Sequence, residues 1–461
     1  MNESRLKLFV IIITTLASFM TAFMGSAINI ALPEIGKEFS LSPVLLSWMA
    51  TAYLLTVAVL LIPVGKLSDI YGRAKFLKTG IIIFTAGSLF SGFANSGASL
   101  LVFRLIQGAG ASFIFATATA ILVSVFHQKE RGKVLGINLT ATYTGLSSGP
   151  FLGGIISHYL NWRFIFFSNT ILGIILIIFT IVYLKSEWKE DVKENYDFPG
   201  GIIYIVFLTS LMLGLTFLPD ISGIILFASG IVLFIIFYKF EKKKNNPIFN
   251  FTVFSSNRTF TFSNLAALIN YSATYAIAFI MSLYLQNIRG LSSQDAGLIL
   301  ITQPVMMAIF SPIAGRLSDK IEPQIVASAG MGILTAGLIL FSFLSQSFSY
   351  VLIVINLAFI GFGFALFSSP NTHAIMSSVD KQYYGVASST LSSMRMVGQM
   401  LSMGIVIVIF SIVAGKANIT QENQYIFLSS FRIAFALFSF LCFAGIFASL
   451  SRGKIHLDNG K

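Results

Sequence analysis

The sequence predicts an all-α membrane protein with about fourteen transmembrane helices. Of its 461 residues, 56% are hydrophobic and only 10% are charged, whereas soluble domains usually carry about 25% charged residues. The charged residues concentrate in short gaps between apolar stretches, many of them long enough for the roughly 20 residues that cross a bilayer. Segments of about ten alternating residues, which are typical of outer-membrane barrels, do not appear. Helices are therefore expected, because lipid cannot satisfy free backbone groups.

The predicted spans follow the apolar stretches in order. They cover residues 8–32, 44–65, 76–95, 99–126, 134–158, 164–184, 199–218, 221–240, 260–286, 295–316, 325–345, 349–370, 385–414 and 427–450. The first is too long for the apolar core of a cleavable signal, roughly 7–15 residues, so we expect it to remain as a helix. The eleventh and twelfth share one uncharged stretch, and we place their turn at Ser345-Gln346-Ser347.

Charge sets the expected orientation. An even number of spans places most of the 30 Lys and Arg residues on the side of the termini, and the positive-inside rule then predicts cytoplasmic termini in a plasma or inner membrane. The same rule accounts for the net charge of +12 without nucleic-acid binding. Cys442 is the only cysteine, so no intrachain disulfide is possible.

Cofactors, metals and enzymatic activity are not expected. The four histidines are scattered without metal-ligand spacing. The chain has no phosphate-binding Gly-Lys-Ser/Thr loop.

An internal repeat suggests two related halves. The segment Gly65–Asp69 (GKLSD) ends the second predicted span, and Gly315–Asp319 (GRLSD) ends the tenth, 250 residues later. A six-helix unit followed by a two-helix insertion would place these segments equivalently. We therefore expect one six-helix bundle in residues 1–190, a two-helix insertion in 191–257 and a second six-helix bundle in 258–461.

The loop after the second span carries the first family motif. It reads Gly65-x-x-x-Asp69-x-x-Gly72-Arg73-x-Lys75, and it resembles the corresponding loop of the major facilitator superfamily. The resemblance implies that family's fold, two pseudo-symmetric six-helix bundles, here with two extra helices between them.

We expect this loop to act as a conformational latch between the two halves. Asp69 can meet a positive helix N-terminus across the interface between the halves. Arg73 can bridge carboxylates, and Glu130 in the next loop on that side is a candidate partner. Arg131 and Asp319 complete the expected latch set. A solvated charge cluster that only orients the helices is the alternative.

The fourth span contains the segment Arg104-Leu-Ile-Gln107-Gly108-Ala-Gly110-Ala111. It is similar to a segment of the same family, and the resemblance implies that Arg104 takes part in coupling or binding. An arginine in a span is costly and usually faces a cavity, and Gln107 lies one turn further on. A structural hydrogen bond to a neighbouring backbone is the alternative.

The fifth span resembles the glycine pattern associated with exporters in this superfamily. Its members are Gly136, Gly145, Gly149, Pro150, Gly153 and Gly154. Gly145, Gly149 and Gly153 form one stripe, which lets helices touch backbone to backbone. A packing stripe with no bearing on transport direction is the alternative.

Further segments are similar to the fourteen-helix drug:proton antiporter branch. They include Asn29–Pro33 (NIALP), Trp162-Arg163 and Asp197–Gly200 (DFPG). One position departs from the branch: relatives commonly carry an aspartate five residues before Asn29, where this chain has Met24. The sequence places no acidic residue at mid-membrane, so the carboxylate that antiport of cationic drugs usually requires is missing or displaced.

Several polar residues are candidates for binding or coupling. His373 lies near the inner end of the twelfth span, and histidine is the side chain type that can switch charge near neutral pH. Arg395 and Gln399 lie one turn apart in the thirteenth. Two buried arginines without a central carboxylate would suit an anionic or zwitterionic substrate. The remaining pocket candidates are Asn29, Tyr53, Tyr143, Asn270, Tyr271, Tyr275 and Gln303.

The leading functional prediction is a monomeric multidrug-type exporter of small organic or amphiphilic molecules. It would work by alternating access, with protons as the coupling ion. The alternatives are an exporter or facilitator for an endogenous acidic metabolite or lipid-like molecule, without a carboxylate in the first helix, and a membrane sensor or scaffold that kept the fold.

Overall fold

A computed structural model shows how the chain folds. It describes residues 3–188, 196–244, 247–249, 251, 257–318, 320–379, 384–415 and 423–453. Within these ranges the regular secondary structure is entirely helical, and it forms fourteen long helices. The predicted all-α fold is therefore confirmed.

The helices are numbered in chain order. They are α1 Glu3–Glu38, α2 Pro43–Tyr71, α3 Arg73–Gly92, α4 Gly97–Val125, α5 Gln128–Tyr159, α6 Arg163–Tyr183, α7 Phe198–Phe217, α8 Ile221–Glu241, α9 Arg258–Ile288, α10 Ser293–Ser318, α11 Pro323–Phe341, α12 Tyr350–Ser377, α13 Tyr384–Val413 and α14 Gln424–Leu450. Helix α9 ends in a π-helical turn at Tyr284–Ile288, and α10 is interrupted between Leu300 and Thr302.

Length and composition make twelve of these helices long and apolar enough to cross a membrane. The other two, α3 and α5, are of similar length but more polar. Helix α5 begins at Gln128, six residues before the predicted start at 134. The reason is physical: its first turns are charged, so hydropathy excludes them although the backbone is already helical. The turn between α11 and α12 lies between Phe341 and Tyr350, as predicted.

Helix packing repeats with an offset of eight helices. In the first half, α1 packs on α5 and α6, α2 packs on α4, and α3 packs on α4 and α6. In the second half, α9 packs on α13 and α14, α10 on α12, and α11 on α12 and α14. The two halves are therefore related six-helix bundles, as in transporters built from repeats.

The repeat extends to single hydrogen bonds. Ser68 Oγ donates to the Gly65 carbonyl at 2.7 Å, and Ser318 Oγ donates to the Gly315 carbonyl at 2.7 Å. Both serines are fully buried at the ends of their helices.

The halves meet along equivalent surfaces. Helix α2 packs on α13, and its counterpart α10 packs on α5. Helix α1 also contacts α9 at the centre. The inserted pair α7 and α8 packs together, and α7 lies against both α2 and α13. Tyr204 on α7 donates to the Ala58 carbonyl of α2 at 3.1 Å. This packing supports our division at residues 1–190, 191–257 and 258–461, which stays a proposal.

Because the helices alternate in direction, α1 starts and α14 ends on the same side of the molecule. We call this side the terminal face and the other the opposite face. The arrangement is supported by Arg258 at the start of α9, whose Nε donates to the Ser451 carbonyl at the end of α14.

Candidate functional site

The centre of the molecule holds a small cavity bounded by both halves. The first half contributes residues from α1, α2, α4 and α5, and the second half contributes residues from α9 and α13. Its lining is Thr21, Ala22, Gly25, Tyr53, Leu54, Phe115, Thr142, Leu146, Tyr275, Arg395, Met396 and Gln399. The cavity volume is about 30 Å³, which is about the volume of one water molecule in the liquid. An organic molecule requires the halves to move apart.

Arg104 lies beside this cavity in a hydrogen-bonded network. It is fully buried on α4, its Nε donates to the Met49 carbonyl at 3.0 Å, and its Nη1 donates to Gln107 Oε1. Gln107 Nε2 in turn donates to Ser88 Oγ on α3 at 2.6 Å. The guanidinium carbon lies 4.6 Å from the ring centroid of Tyr53, within cation–π range. Both predicted roles are thus compatible with the geometry: Arg104 bonds a neighbouring backbone and stacks on a cavity-lining ring.

Arg395 lines the cavity directly from α13. Its Nε is buried and has no hydrogen-bond partner. Gln399, one turn further on, also lines the cavity and is 6% exposed. The predicted pair is therefore brought together at the centre. None of the twelve lining residues is acidic.

The first helix carries no carboxylate at this depth. Met24 is fully buried, and its sulfur accepts a hydrogen bond from Asn169 Nδ2 on α6 at 3.2 Å. The acidic residues of α1 lie near its ends: Glu34 accepts from Ser157 Oγ at 2.7 Å, and Glu38 pairs with Arg163 at 2.5 Å. The thioether at Met24 is a weak acceptor and adds no charge.

On the opposite-face side of the cavity, side chains of the second half bond to backbone carbonyls of α1. Tyr275 donates to the Gly25 carbonyl at 3.1 Å, Ser282 to Asn29 at 2.7 Å and Gln286 to Ile30 at 2.9 Å. These bonds close the centre toward the opposite face. Asn29 and Tyr275 were predicted as pocket residues, and the structure places them in this closure, with Tyr275 also lining the cavity.

The glycines of α5 allow close packing against α1 of the same half and against α10 of the other half. A Cβ at Gly145 would lie 2.5 Å from the Phe19 carbonyl of α1, and one at Gly149 would collide with Ser26. A Cβ at Gly154 would lie 2.6 Å from the Ser293 carbonyl of α10, in the other half. Gly153 also packs on α1, and the Pro150 carbonyl contacts Gly297 of α10. Gly136 has open space instead, because it lies on the terminal-face side.

That side carries a larger groove. It has a volume of about 560 Å³ and is lined by α1 and α5, which is within the usual size range of small-molecule sites. Its polar lining is Thr15, Thr140 and Thr144, and its other members are Leu16, Phe19, Gly136, Ile137 and Ala141. The groove reaches Phe19, one turn before the cavity residue Ala22.

The remaining pocket candidates are not among the lining residues of the cavity. Tyr143 and Ser368 share a hydrogen bond of 2.8 Å between the halves. Asn270 is fully buried, and its amide oxygen and nitrogen both lack a hydrogen-bond partner. Tyr271 stacks edge-on with Phe364. The Gln303 backbone packs closely against Gly361.

The predicted latch is organised within the first half. Arg73 Nε donates to Asp69 at 2.7 Å, and its Nη1 donates to Ser124 at 2.6 Å. Glu130, the predicted partner of Arg73, lies 3.4 Å from Lys7 of α1. Arg131 donates to the Phe126 carbonyl at 3.2 Å. Asp319 lies outside the described residues. His373 shares a hydrogen bond of 3.2 Å with Ser318 at this face, away from the central cavity.

Sequence reasoning missed Glu187 in this region. Its carboxylate accepts from the backbone N–H groups of Ala74 at 2.7 Å and Lys75 at 3.1 Å, which open α3. Gly72 has a φ of 118°, and a Cβ there would lie 2.6 Å from the Glu187 carboxyl carbon. The absence of a side chain at Gly72 therefore leaves space for Glu187, which follows α6 and caps the start of α3. The only sequence signal of Glu187 is that it is the first acidic residue after α6.

A family comparison decides the assignment. The model of the Major Facilitator Superfamily matches residues 14–403 and 263–454. The chain belongs to this superfamily. Its motif loop, central arginine and repeated bundles are those of a major facilitator transporter.

Individual relatives of this major facilitator chain are transporters. It is 30% identical over 389 residues to the riboflavin transporter RibZ of Clostridioides difficile, covering 84% of this chain and 85% of that one. It is 33% identical to the multidrug transporter protein MdtP of Bacillus subtilis, over 83% of this chain and 71% of that one. The multidrug resistance protein Stp of Mycobacterium tuberculosis is 28% identical over 91% of this chain and 78% of that protein.

A solved structure has the same fold. The chain matches a bacterial homologue of the human lysosomal transporter Spinster with a TM-score of 0.65 and 18% sequence identity. The match covers 99% of this chain and 98% of the other. The multidrug relatives are consistent with the resemblance to drug:proton antiporter-like exporters.

Proposed function

We propose that this protein is a secondary active exporter of small organic or amphiphilic molecules, which works by alternating access in the cell membrane. The observation that carries the proposal is the central cavity, because both halves line it and neither encloses it alone. A site shared between two bundles opens to one side or the other when the bundles rock. The multidrug relatives support organic compounds as the substrate class.

The closure toward the opposite face is suited to repeated opening. Tyr275, Ser282 and Gln286 each form a single hydrogen bond to an α1 carbonyl. One such bond contributes only about 0.5–1.5 kcal/mol net, so a modest free energy separates the bundles. On the terminal face, Asp69 bonds within its own half, and the groove of α1 and α5 is open. With both termini in the cytoplasm, as the Lys and Arg distribution favours, substrate enters the groove from the cytoplasm.

Proton antiport is the proposed coupling. It is supported by the resemblance to the drug:proton branch and by the Arg104–Gln107 network beside the cavity. The carboxylate of the first helix takes no part, since Met24 occupies that position. We propose that the protein acts as a monomer and needs no cofactor.

The test is transport by purified protein in liposomes with an imposed pH gradient. Ethidium and Hoechst 33342 serve as cationic dyes, fluorescein serves as an anionic dye, and protein-free liposomes serve as the control. The expected result is accumulation of at least one dye that follows the gradient and collapses when an ionophore dissipates it. Dye flux that ignores the gradient would disprove antiport, and no flux of any cationic, neutral or anionic compound would disprove export.

A further inference from the structure

The charges around the central cavity do not balance. Arg395 lines the cavity from the second half, and Arg104 of the first half stacks on Tyr53, which also lines it. None of the lining residues carries a negative charge. Positive charge at this depth is expensive in a membrane protein unless an anion or a polar group compensates it.

The acidic residues nearest in sequence bond elsewhere. Glu34 accepts from Ser157 and Glu38 pairs with Arg163, both beyond the closure at Asn29. On the terminal face, Asp69 is bound to Arg73 and Glu130 to Lys7. The cavity is therefore left with cationic side chains and no carboxylate among its lining residues.

The unused hydrogen-bonding groups at this centre include N–H donors of both arginines. Arg104 Nη2 and Arg395 Nε are buried without a hydrogen-bond partner. The tyrosine hydroxyls are already engaged, since Tyr53 donates to the Thr21 carbonyl at 3.1 Å and Tyr275 to the Gly25 carbonyl at 3.1 Å. Charged N–H donors without acceptors favour an anionic oxygen ligand.

We propose that the exported molecules carry an acidic group, a carboxylate or a comparable organic oxyanion, and that Arg395 contacts this group in the central cavity. Arg104, behind the Tyr53 ring, contributes positive potential and holds the ring in place. The inference rests on the proposed export function and names its substrate class. The aromatic side chains Tyr53, Phe115 and Tyr275 provide the surface for the organic part of the molecule.

The two arginines belong to different halves, which links binding to closure. In the empty carrier, bringing α4 and α13 together brings two positive charges together. An anion between them replaces this repulsion with attraction. The substrate's acidic group thus supplies the negative charge that no side chain of the first helix provides here.

The experiment uses one scaffold in three charge states. Naphthalene-2-carboxylate, naphthalene-2-carboxamide and naphthalene-2-carboxamidine have similar shapes and charges of minus one, zero and plus one near neutral pH. Their affinities for the purified full-length protein are measured by calorimetry, and their fluxes are measured in liposomes. We expect the carboxylate to bind at least about tenfold more tightly than the amide, because a hydrogen bond to a charged group is worth about 1.5–3 kcal/mol.

The variant Arg395→Gln keeps a hydrogen-bonding side chain and removes the charge. It is expected to erase the preference for the carboxylate over the amide. The matched control is Arg432→Gln on α14, whose arginine bonds the Leu344 carbonyl away from the cavity. This control removes an arginine that is exposed on α14, and it should retain the preference. A thermal midpoint of Arg395→Gln close to that of the wild type shows that the variant is folded.

Three results would overturn the inference: an amidine that binds as tightly as the carboxylate, no binding of the carboxylate, or an unchanged preference in Arg395→Gln. If the amidine or the cationic dyes are exported while the carboxylate and the anionic dye are not, export stands and only the acidic substrate class fails. If no compound is exported, the proposed function itself fails.

Discussion

Arg104 and Arg432 lie in different surroundings, because Arg104 is fully buried whereas Arg432 is exposed on α14. Arg104 donates in two directions, to the Met49 carbonyl and to Gln107, and lies over the Tyr53 ring. Arg432 donates to one backbone carbonyl, that of Leu344. A planar guanidinium satisfies several fixed acceptors at once, whereas an ammonium does not keep the same fork geometry.

This difference predicts that Arg104→Lys lowers the initial rate of dye efflux at least about tenfold. The lysine keeps the charge but cannot hold Gln107 and the Met49 carbonyl together while stacking on Tyr53, and a lost charged hydrogen bond is worth about 1.5–3 kcal/mol. The rate is measured in inside-out vesicles at equal protein levels. Arg432→Lys is the control and should stay close to the wild type. Full activity in Arg104→Lys would show that charge alone suffices at this position.

Glu187 gives a second residue-scale prediction, this time on stability. Because its carboxylate accepts from two N–H groups at the start of α3, it acts as a helix cap and also interacts favourably with the helix dipole. Glu187→Ala should destabilise the folded protein by about 0.5–2 kcal/mol, seen as a lower thermal midpoint in detergent. Lys185→Ala, two residues away, is the control. Equal midpoints for the two variants would argue against the cap.

At the scale of elements, the glycines of α5 divide by position along the helix. Gly145, Gly149 and Gly153 lie against α1, and Gly154 lies against α10 of the other half. Gly136 faces open space beside the groove. The glycine pattern therefore combines close packing near the closed side with an unobstructed surface near the open side.

The pair Gly149→Ala and Gly136→Ala tests this division on one helix. At Gly149 the new methyl group collides with Ser26 and approaches the Ala27 nitrogen, so α1 and α5 must separate. We expect loss of transport and a lower thermal midpoint. At Gly136 no atom lies within 4 Å, and alanine favours the helix by up to about 1 kcal/mol. That variant should be as stable as the wild type or more so; similar behaviour of both variants would contradict the proposed packing role.

Much of the element level was predictable from the sequence, for physical reasons. Apolar length located the helices, and the two GxLSD segments indicated the repeat, which the Gly65–Ser68 and Gly315–Ser318 hydrogen bonds reproduce. Hydropathy did not predict the first turns of α5, because their residues are polar. It also could not predict contacts between residues that are distant in sequence. Glu187 meets α3, and Ser282 and Gln286 meet α1, only through tertiary packing. Arg395 and Gln399 were found because polar residues inside an apolar span are rare.

At the scale of the whole molecule, the two bundles are joined toward the opposite face, and a groove of the first half opens toward the terminal face. Between the bundles, α1 meets α9 through side-chain bonds to backbone carbonyls, and α5 meets α10 through glycines. The groove on the terminal face lies between α1 and α5. The arrangement is one end state of a rocking carrier in our proposal. Transport then requires the closed side to open.

The last prediction tests this requirement with a reversible lock. Ser282 Oγ lies 2.7 Å from the Asn29 carbonyl, so α1 and α9 touch at this point, and we expect cysteines at Asn29 and Ser282 to cross-link in the closed state. The lone native thiol, Cys442, is buried and is removed as Cys442→Ala. Oxidation should stop dye export, and reduction should restore it, because α1 and α9 can no longer separate. Each single-cysteine variant controls for oxidation alone.

A second measurement tests whether the groove stays accessible. In the lock variant that also carries Thr140→Cys, the groove cysteine should react with a water-soluble maleimide whether or not the lock is closed, since the groove belongs to the open side. Continued export by fully cross-linked protein would mean that substrate leaves without opening this side, and the two-bundle rocking mechanism would be wrong for this chain.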